Sequence, residues 1–232
     1  MNIANQIALV TGANRGIGEK YVLELLDRGA AKVYATARRP ELLTFDDSRV
    51  VPLHLDLLDD ESVLAAAATA SDVTLLVNNA GISTGALLVT GDLADVRREM
   101  DTHFWGTLGT IRAFAPVLKA NGGGAIVNVL SALSWVSFPS VATYSASKSA
   151  AWSLTNGLRN ELRAQGTQVV ALHVGYMDTD MTRGLDAPKS SPADVARLTL
   201  EGVEAGAFEV LADDVSKQIK QSLSSATPAY AA

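Results

Sequence analysis

The chain has 232 residues, enough for one α/β unit that buries roughly 70% of its unfolded surface without a metal or disulfide as a staple. It contains no cysteine, which excludes disulfides, thiolate metal sites and cysteine nucleophiles, and its 48% hydrophobic but only 6% aromatic content points to a small aliphatic core. A net charge of -6 with no basic tract speaks against nucleic-acid or membrane partners, no apolar run nears the ~20 residues of a bilayer span, and the expected location is cytoplasmic.

The polar Met1–Gln6 stretch lacks the charged-then-apolar layout of a signal segment. An apolar run predicts the first strand over Gln6–Thr11. It enters Gly12-Ala13-Asn14-Arg15-Gly16-Ile17-Gly18, followed by an amphipathic helix over Ile17–Arg28 that Gly29 closes. A tight strand-to-helix turn needs residues that take positive φ and let backbone approach backbone. The helix N-terminus behind it offers unpaired N–H groups and partial positive charge to a pyrophosphate. A plain glycine-rich turn is the competing reading, disfavoured by its place between the first strand and the first helix.

The next strand, Lys32–Thr36, runs into Ala37-Arg38-Arg39 with no acidic residue at its end. A strand over Val50–Leu55 leads to Asp56-Leu57, a helix over Asp60–Thr69 follows, and a strand over Val73–Asn78 runs into Asn79-Ala80-Gly81. A long helix over Leu93–Ala120 carries His103-Phe104-Trp105-Gly106 and stops at Asn121-Gly122-Gly123-Gly124. Ser131 ends the strand Ala125–Leu130. Tyr144 and Lys148, four residues apart near the start of the helix Val141–Gln165, share one helical face. A strand over Gln168–Val174 leads into Gly175-Tyr176-Met177-Asp178-Thr179. A helix over Ala193–Glu204, a strand over Phe208–Leu211 and a helix from about Asp213 to Leu223 complete the pattern, and the small polar tail Ser224–Ala232 is expected to fray. This alternation predicts an α/β fold, a doubly wound parallel sheet of about seven strands with helices on both faces, and nothing divides residues 1–232 into two domains.

The glycine spacing is T-G-x-x-x-G-x-G rather than G-x-G-x-x-G. With Asn78-Asn79-Ala80-Gly81, Ser131 and the Tyr144-x-x-x-Lys148 pair, the chain resembles the short-chain dehydrogenase/reductase family along almost its whole length. The resemblance implies a Rossmann-like, NADP-binding domain with Gly12, Asn14, Arg15, Gly16, Ile17 and Gly18 at the phosphates. Asp56 and Leu57 fall on the adenine side, and Asn79, Ala80 and Gly81 beside the ribose. NAD-preferring members carry an acid at the end of the second strand. Here Arg38 stands just beyond that strand and Arg15 within the glycine turn, so two guanidiniums are placed to grip a 2′-phosphate, and NADP(H) is the expected cofactor. Ordinary surface arginines are the alternative.

Reducing a ketone takes a hydride and a proton, and a tyrosine titrating at about 10 is poorly matched to that task at neutral pH. An ammonium about 4 Å away, at an effective dielectric of ~20, favours the phenolate by ~4 kcal/mol. The resemblance accordingly makes Tyr144 the general acid and base, Lys148 its partner and holder of the nicotinamide ribose, and Ser131 a donor to the substrate oxygen, with Ser134 as a less well-spaced substitute. Gly175, Met177 and Thr179 match the family's P-G-x-x-x-T segment, where Met177 and Thr179 would hold the carboxamide. Val174 replaces the usual proline, which loosens that turn.

A second departure is His103, where the family has an asparagine that completes a proton relay. The expectation is that its imidazole or its carbonyl positions a water between Lys148 and solvent. The implied activity is an NADP(H)-dependent carbonyl reductase or alcohol dehydrogenase acting on small-molecule ketones, aldehydes and alcohols, as a homodimer or homotetramer. Only about a dozen residues separate Thr179 from Ser191-Pro192, so an open site taking bulky ketones is expected. A catalytically impaired cofactor-binding regulator of the same fold is the main alternative, and an epimerase or dehydratase, which needs a larger substrate region, is another.

Overall fold

The computed structural model describes residues 1–231, and Ala232, the end of the expected fraying tail, lies outside the described residues. Seven parallel strands form one sheet: β1 (Ile7–Val10), β2 (Lys32–Ala37), β3 (Val50–His54), β4 (Leu75–Asn78), β5 (Gly124–Val129), β6 (Thr167–His173) and β7 (Glu209–Leu211). Their order is β3-β2-β1-β4-β5-β6-β7, with Ala8 opposite both Val33 and Leu75. The winding direction reverses between β1 and β4, and in such sheets the crevice at the carboxyl ends of those strands is where ligands bind.

Successive side chains of each strand enter opposite layers, which is why the strands read as unbroken apolar runs. Ala8, Val10, Leu75, Val77, Ala125 and Val127 enter the core shared with α1 (Gly16–Asp27) and α6 (Pro192–Glu204). Leu9, Leu76 and Ile126 enter the opposite core, where α2 (Asp60–Thr69), α4 (Thr107–Ala120) and α5 (Ala142–Glu161) contribute Val63, Phe114, Leu118 and Leu158. Tyr21 of α1 is fully buried and donates from its hydroxyl to Thr199 of α6 at 3.1 Å, so its one polar atom does not go unpaired between the helices. The remaining helices are α3 (Leu93–Met100) and α7 (Asp214–Ser222). No helix among the described residues is long and apolar enough to cross a membrane.

The expected long helix over 93–120 is present but not uniform. Between α3 and α4 the chain winds as a π segment over Asp101–Gly106, which contains His103. An inserted residue of that kind bulges a helix without a composition signature, and it recurs at functional sites. The helix expected over Val141–Gln165 ends as α5 at Glu161, and a 3-10 turn, Arg163–Gln165, runs into left-handed Gly166. Three short 3-10 turns went unforeseen beside the site, at Ala132–Ser134, Pro139–Val141 and Asp180–Thr182. The tail forms a final 3-10 turn over Ala229–Ala231, with Ala229 N–H donating to Ser222 Oγ at 3.2 Å.

Candidate active site

The glycine turn forms because a side chain has no room in it. A Cβ on Gly18 would stand 2.1 Å from the Gly12 carbonyl oxygen, and Gly12 itself takes a φ of +66° against Ala80. Asn79 locks the turn from the β4 side: its Nδ2 donates to the carbonyls of Thr11 at 2.9 Å and Gly12 at 3.2 Å. The N–H groups of Asn79 and Ala80 both donate to Thr11 Oγ1. Asn79 therefore braces the turn, and Ala80 abuts it. Arg15 precedes α1 in extended conformation and supplies no side-chain cap. The first helical hydrogen bond runs from Glu19 N–H to Arg15 O, so the N–H groups of Gly16, Ile17 and Gly18 are left without a partner among the described residues. Three orphan donors at a helix N-terminus are the fit that a pyrophosphate requires.

Arg38 and Arg39 lie exposed past β2 and take part in no ion pair among the described residues. Arg15 differs from expectation. Its guanidinium reaches Asp180 at 3.3 Å across the glycine turn, and Arg183 pairs with the same carboxylate. Arg15 is thus engaged by a carboxylate, whereas Arg38, among the described residues, is not. Asp56 closes the turn after β3, accepting from Leu58 N–H at 3.1 Å. Beside it, Leu57 contacts Gly106 of the π segment so closely that a Cβ there would sit 2.8 Å away.

At the other end of the crevice, Ser131, Tyr144 and Lys148 come together from β5 and α5. Ser131 is buried and begins the Ala132–Ser134 turn, its Oγ accepting from Leu133 N–H at 3.1 Å. Ser134 is committed to that turn, its Oγ accepting from Ser131 N–H. Lys148 is buried, donates to the Val129 carbonyl at 2.8 Å, and stands 5.5 Å from the Tyr144 ring centroid. Burial pulls its pKa down to about 8, so at neutral pH the ammonium still predominates.

The expected depression of the Tyr144 phenol does not appear in the cofactor-free protein. Burial raises its pKa, the Ser131 hydroxyl works against that rise, and the Glu99 carboxylate adds to it. The Lys148 ammonium meanwhile spends a hydrogen bond on the Val129 carbonyl.

His103 is buried, with its ring edge-on to Tyr144 at 5.2 Å between centroids. Its Nε2 accepts from Ile82 N–H at 3.2 Å, so Nδ1 carries the proton and donates to Ser147 Oγ at 2.7 Å. Ser147 in turn donates to the Tyr144 carbonyl at 2.7 Å. Burial, then the nearby Lys148 charge, holds the imidazole pKa well below its usual value. Both ring nitrogens are taken, so of the two expected ways to position a water the imidazole is not free and the His103 carbonyl is left. Gly81 is required here, since a Cβ would meet His103 Nε2 at 2.9 Å.

Gly175, Met177 and Thr179 lie across the crevice. Thr179 is 3.4 Å from where a Gly16 Cβ would be, so this segment sits over the glycine turn. Gly175 N–H donates to Asp213 Oδ2 at 2.7 Å, and Met177 pairs with Ser190 in a short bridge that closes the loop between them. Asp213, Ser147, Glu99 and His173 escaped the sequence reading. Only Asp213 carried a local signal, as the capping acid of α7.

The sequence profile of the short chain dehydrogenases matches residues 6–190. A crystallised short chain dehydrogenase from Burkholderia cenocepacia J2315, in complex with NADP, superposes with a TM-score of 0.94 at 42% identity, over 97% of this chain and 95% of that one. A gluconate 5-dehydrogenase from the same organism, in complex with NADP and tartrate, superposes with a TM-score of 0.83 at 25% identity, over 90% and 93% of the two chains. The 1-deoxy-11-beta-hydroxypentalenate dehydrogenase of Streptomyces exfoliatus is 32% identical over 227 residues, which is 92% of this chain and 82% of that protein.

Proposed function

The chain belongs to the short-chain dehydrogenase family of oxidoreductases, and from that premise we propose that it interconverts a ketone or aldehyde with the corresponding alcohol, using NADP(H). The convergence of Ser131, Tyr144 and Lys148 at the carboxyl edge of the sheet, across the crevice from the uncapped N-terminus of α1, carries this reading.

The residues present fit the cofactor. The N–H groups of Gly16, Ile17 and Gly18 would take the pyrophosphate, with Asn14 in the same turn, and the exposed Arg38, followed by Arg39, would take the 2′-phosphate. Asp56 and Leu57 would border the adenine, Ala80 and Gly81 the ribose, and Met177 and Thr179 would hold the carboxamide. When bound, NADPH supplies the hydride. Tyr144 Oη gives its proton to the carbonyl oxygen, Ser131 Oγ donates a hydrogen bond to that same oxygen, and Lys148 holds the ribose while its charge steadies the phenolate left behind. For oxidation, the phenolate takes the proton from the alcohol.

The substrate is apolar and bulky. Leu87, Leu88 and Val89 lie exposed on the loop after β4, Phe138 precedes α5, and Met181 and Leu185 lie on the short segment after Thr179. The relative named as a hydroxypentalenate dehydrogenase favours a hydroxyl-bearing substrate and its ketone. NADPH consumption against a panel of aldehydes, aryl ketones, hydroxyketones and alicyclic ketones tests the proposal, and Tyr144→Phe should lower kcat by about 10²-fold or more. Tight NADPH binding with no turnover of any member would leave a cofactor-binding regulator instead.

A further inference from the structure

Glu99, the penultimate residue of α3, is completely buried and has no part in the chemistry above. Its Oε1 accepts from Thr84 N–H at 2.5 Å and from Thr84 Oγ1–H at 2.9 Å, while Oε2 has no partner among the described residues. A carboxylate is costly to take out of water unless hydrogen bonds or a nearby charge compensate.

Those bonds belong to a pattern. His103 accepts from Ile82 N–H, Glu99 holds Thr84, and the Thr143 hydroxyl donates to the Ala86 carbonyl at 3.1 Å. Alternate residues of the loop leaving β4 are therefore held from the π segment, from α3 and from the residue just before Tyr144. Past Ala86 the loop turns outward, and Val89 is 95% exposed.

Charge gives a second relation. Tyr144 faces Lys148 on its own helix, Ser131 from the end of β5, His103 from the π segment and Glu99 from α3. His103 is neutral by its hydrogen bonds and Ser131 carries no charge. Lys148 and Glu99 are thus the two charges of opposite sign acting on the phenol, and the carboxylate favours its protonated form.

We propose that Glu99 is a positioning residue for the reaction proposed above, clamping the Ile82–Ala86 loop beside Tyr144 and opposing the Lys148 charge so that the proton stays on Tyr144 for delivery to a carbonyl. In that delivery the Oη–H bond breaks as the O–H bond of the product alcohol forms, the hydride having come from NADPH, and solvent returns the proton to the phenolate.

Two variants separate the clamp from the charge. Glu99→Gln keeps an acceptor for Thr84 and removes the charge, whereas Glu99→Ala removes both. Amide hydrogen exchange over residues 82–86, in the cofactor-free protein, should be about tenfold faster in Glu99→Ala and near wild type in Glu99→Gln. With NADP⁺ bound, the near-ultraviolet titration of the Tyr144 phenolate, taken as the difference from Tyr144→Phe, should have its midpoint about half a pH unit or more lower in Glu99→Gln. The ratio of kcat for alcohol oxidation to kcat for ketone reduction at neutral pH should rise about threefold with it, the Michaelis constants shifting to keep the overall equilibrium. Unchanged exchange in Glu99→Ala overturns the clamp, and an unmoved midpoint in Glu99→Gln overturns the role of the charge. Should Glu99→Ala fail to fold, the isosteric Gln variant still decides the charge by its titration, and Glu99→Met, which fills the space but offers Thr84 no oxygen, decides the clamp by exchange. The exchange and titration need no turnover. A protein that shows both effects yet reduces no carbonyl refutes the proposed function and leaves the Glu99 contacts standing.

Discussion

Arg38 and Arg15 present the same guanidinium in two electrostatic settings. Arg38 is exposed and outside any ion pair among the described residues, while Arg15 is neutralised by Asp180, which it shares with Arg183. Losing a charge-assisted phosphate contact typically costs about 1.5–3 kcal/mol, so Arg38→Ala should raise the KM for NADPH roughly tenfold or more and leave that for NADH nearly unchanged. Arg15→Ala removes an exposed, screened pair worth up to about 1 kcal/mol and should raise it no more than about fivefold. Michaelis constants for both nucleotides in both variants check this, and equal losses would return Arg15 to the phosphate. Legibility at this scale follows chemistry and spacing. Tyr144 and Lys148 declare themselves because four residues along a helix place two reactive groups on one face. Glu99, Asp213 and Ser147 do not, because what makes each of them matter (Thr84, Gly175 and His103) lies 15, 38 and 44 residues away. No local pattern announces a partner at that distance.

The π segment Asp101–Gly106 works as a joint between the two ends of the crevice. Gly106 brings it against Leu57 on the adenine side, and His103 ties it to the Ile82 amide and, through Ser147, to the Tyr144 backbone. His103→Ala should therefore destabilise the protein by about 1–3 kcal/mol, through the buried groups it leaves unpaired, as read from urea unfolding. It should also lower kcat, because Tyr144 loses its edge-on neighbour and Ser147 its donor. His103→Asn, whose amide can stand where Nδ1 does and donate to Ser147, should recover part of the loss. The pH–rate profile of the parent enzyme should show no limb at about 6.5, since the imidazole is held neutral. A limb there that vanishes in His103→Asn would make the ring a titrating participant after all. The sequence read 93–120 correctly as helical but as one uniform rod, because apolar periodicity survives the insertion of one residue per turn. The short turns at Pro139–Val141 and Asp180–Thr182 were missed for a related reason: three residues are too few to show a period.

Seven strands and their parallel pairing were legible in outline because a sheet covered on both faces writes each strand as an apolar run between breakers. Strand ends were not, since Thr11 and Leu130 continue the composition of a strand after the ladder has stopped. Buried bases set the molecule's acid sensitivity. His173, fully buried at the end of β6, donates from Nδ1 to the Ser131 carbonyl at 2.9 Å and stacks on Trp135, and burial pulls its pKa from 6.5 down to about 4. Above 6.5 both folded and unfolded chains carry it neutral. As the pH falls from 6.5 to 4 only the unfolded chain binds the proton, so stability should fall by about 3 kcal/mol and then level off. His103, also held neutral, adds to the fall in the same direction. Urea midpoints across that range should fall less steeply in His173→Phe, which keeps the stacking, and identical slopes would contradict the assignment. The strand order has a consequence for synthesis. In the finished sheet β1 is interior, flanked by β2 and by β4, yet β4 begins at Leu75 while β2 and β3 are complete by His54. A nascent chain that has emerged only as far as α2 therefore holds a three-stranded sheet whose open border is Ala8, Leu9 and Val10, with their ladder groups bare. Until Asn78 leaves the ribosome that border can pair with the same strand of a neighbouring chain, so the segment most protected in the native protein is the one most in need of a chaperone during translation.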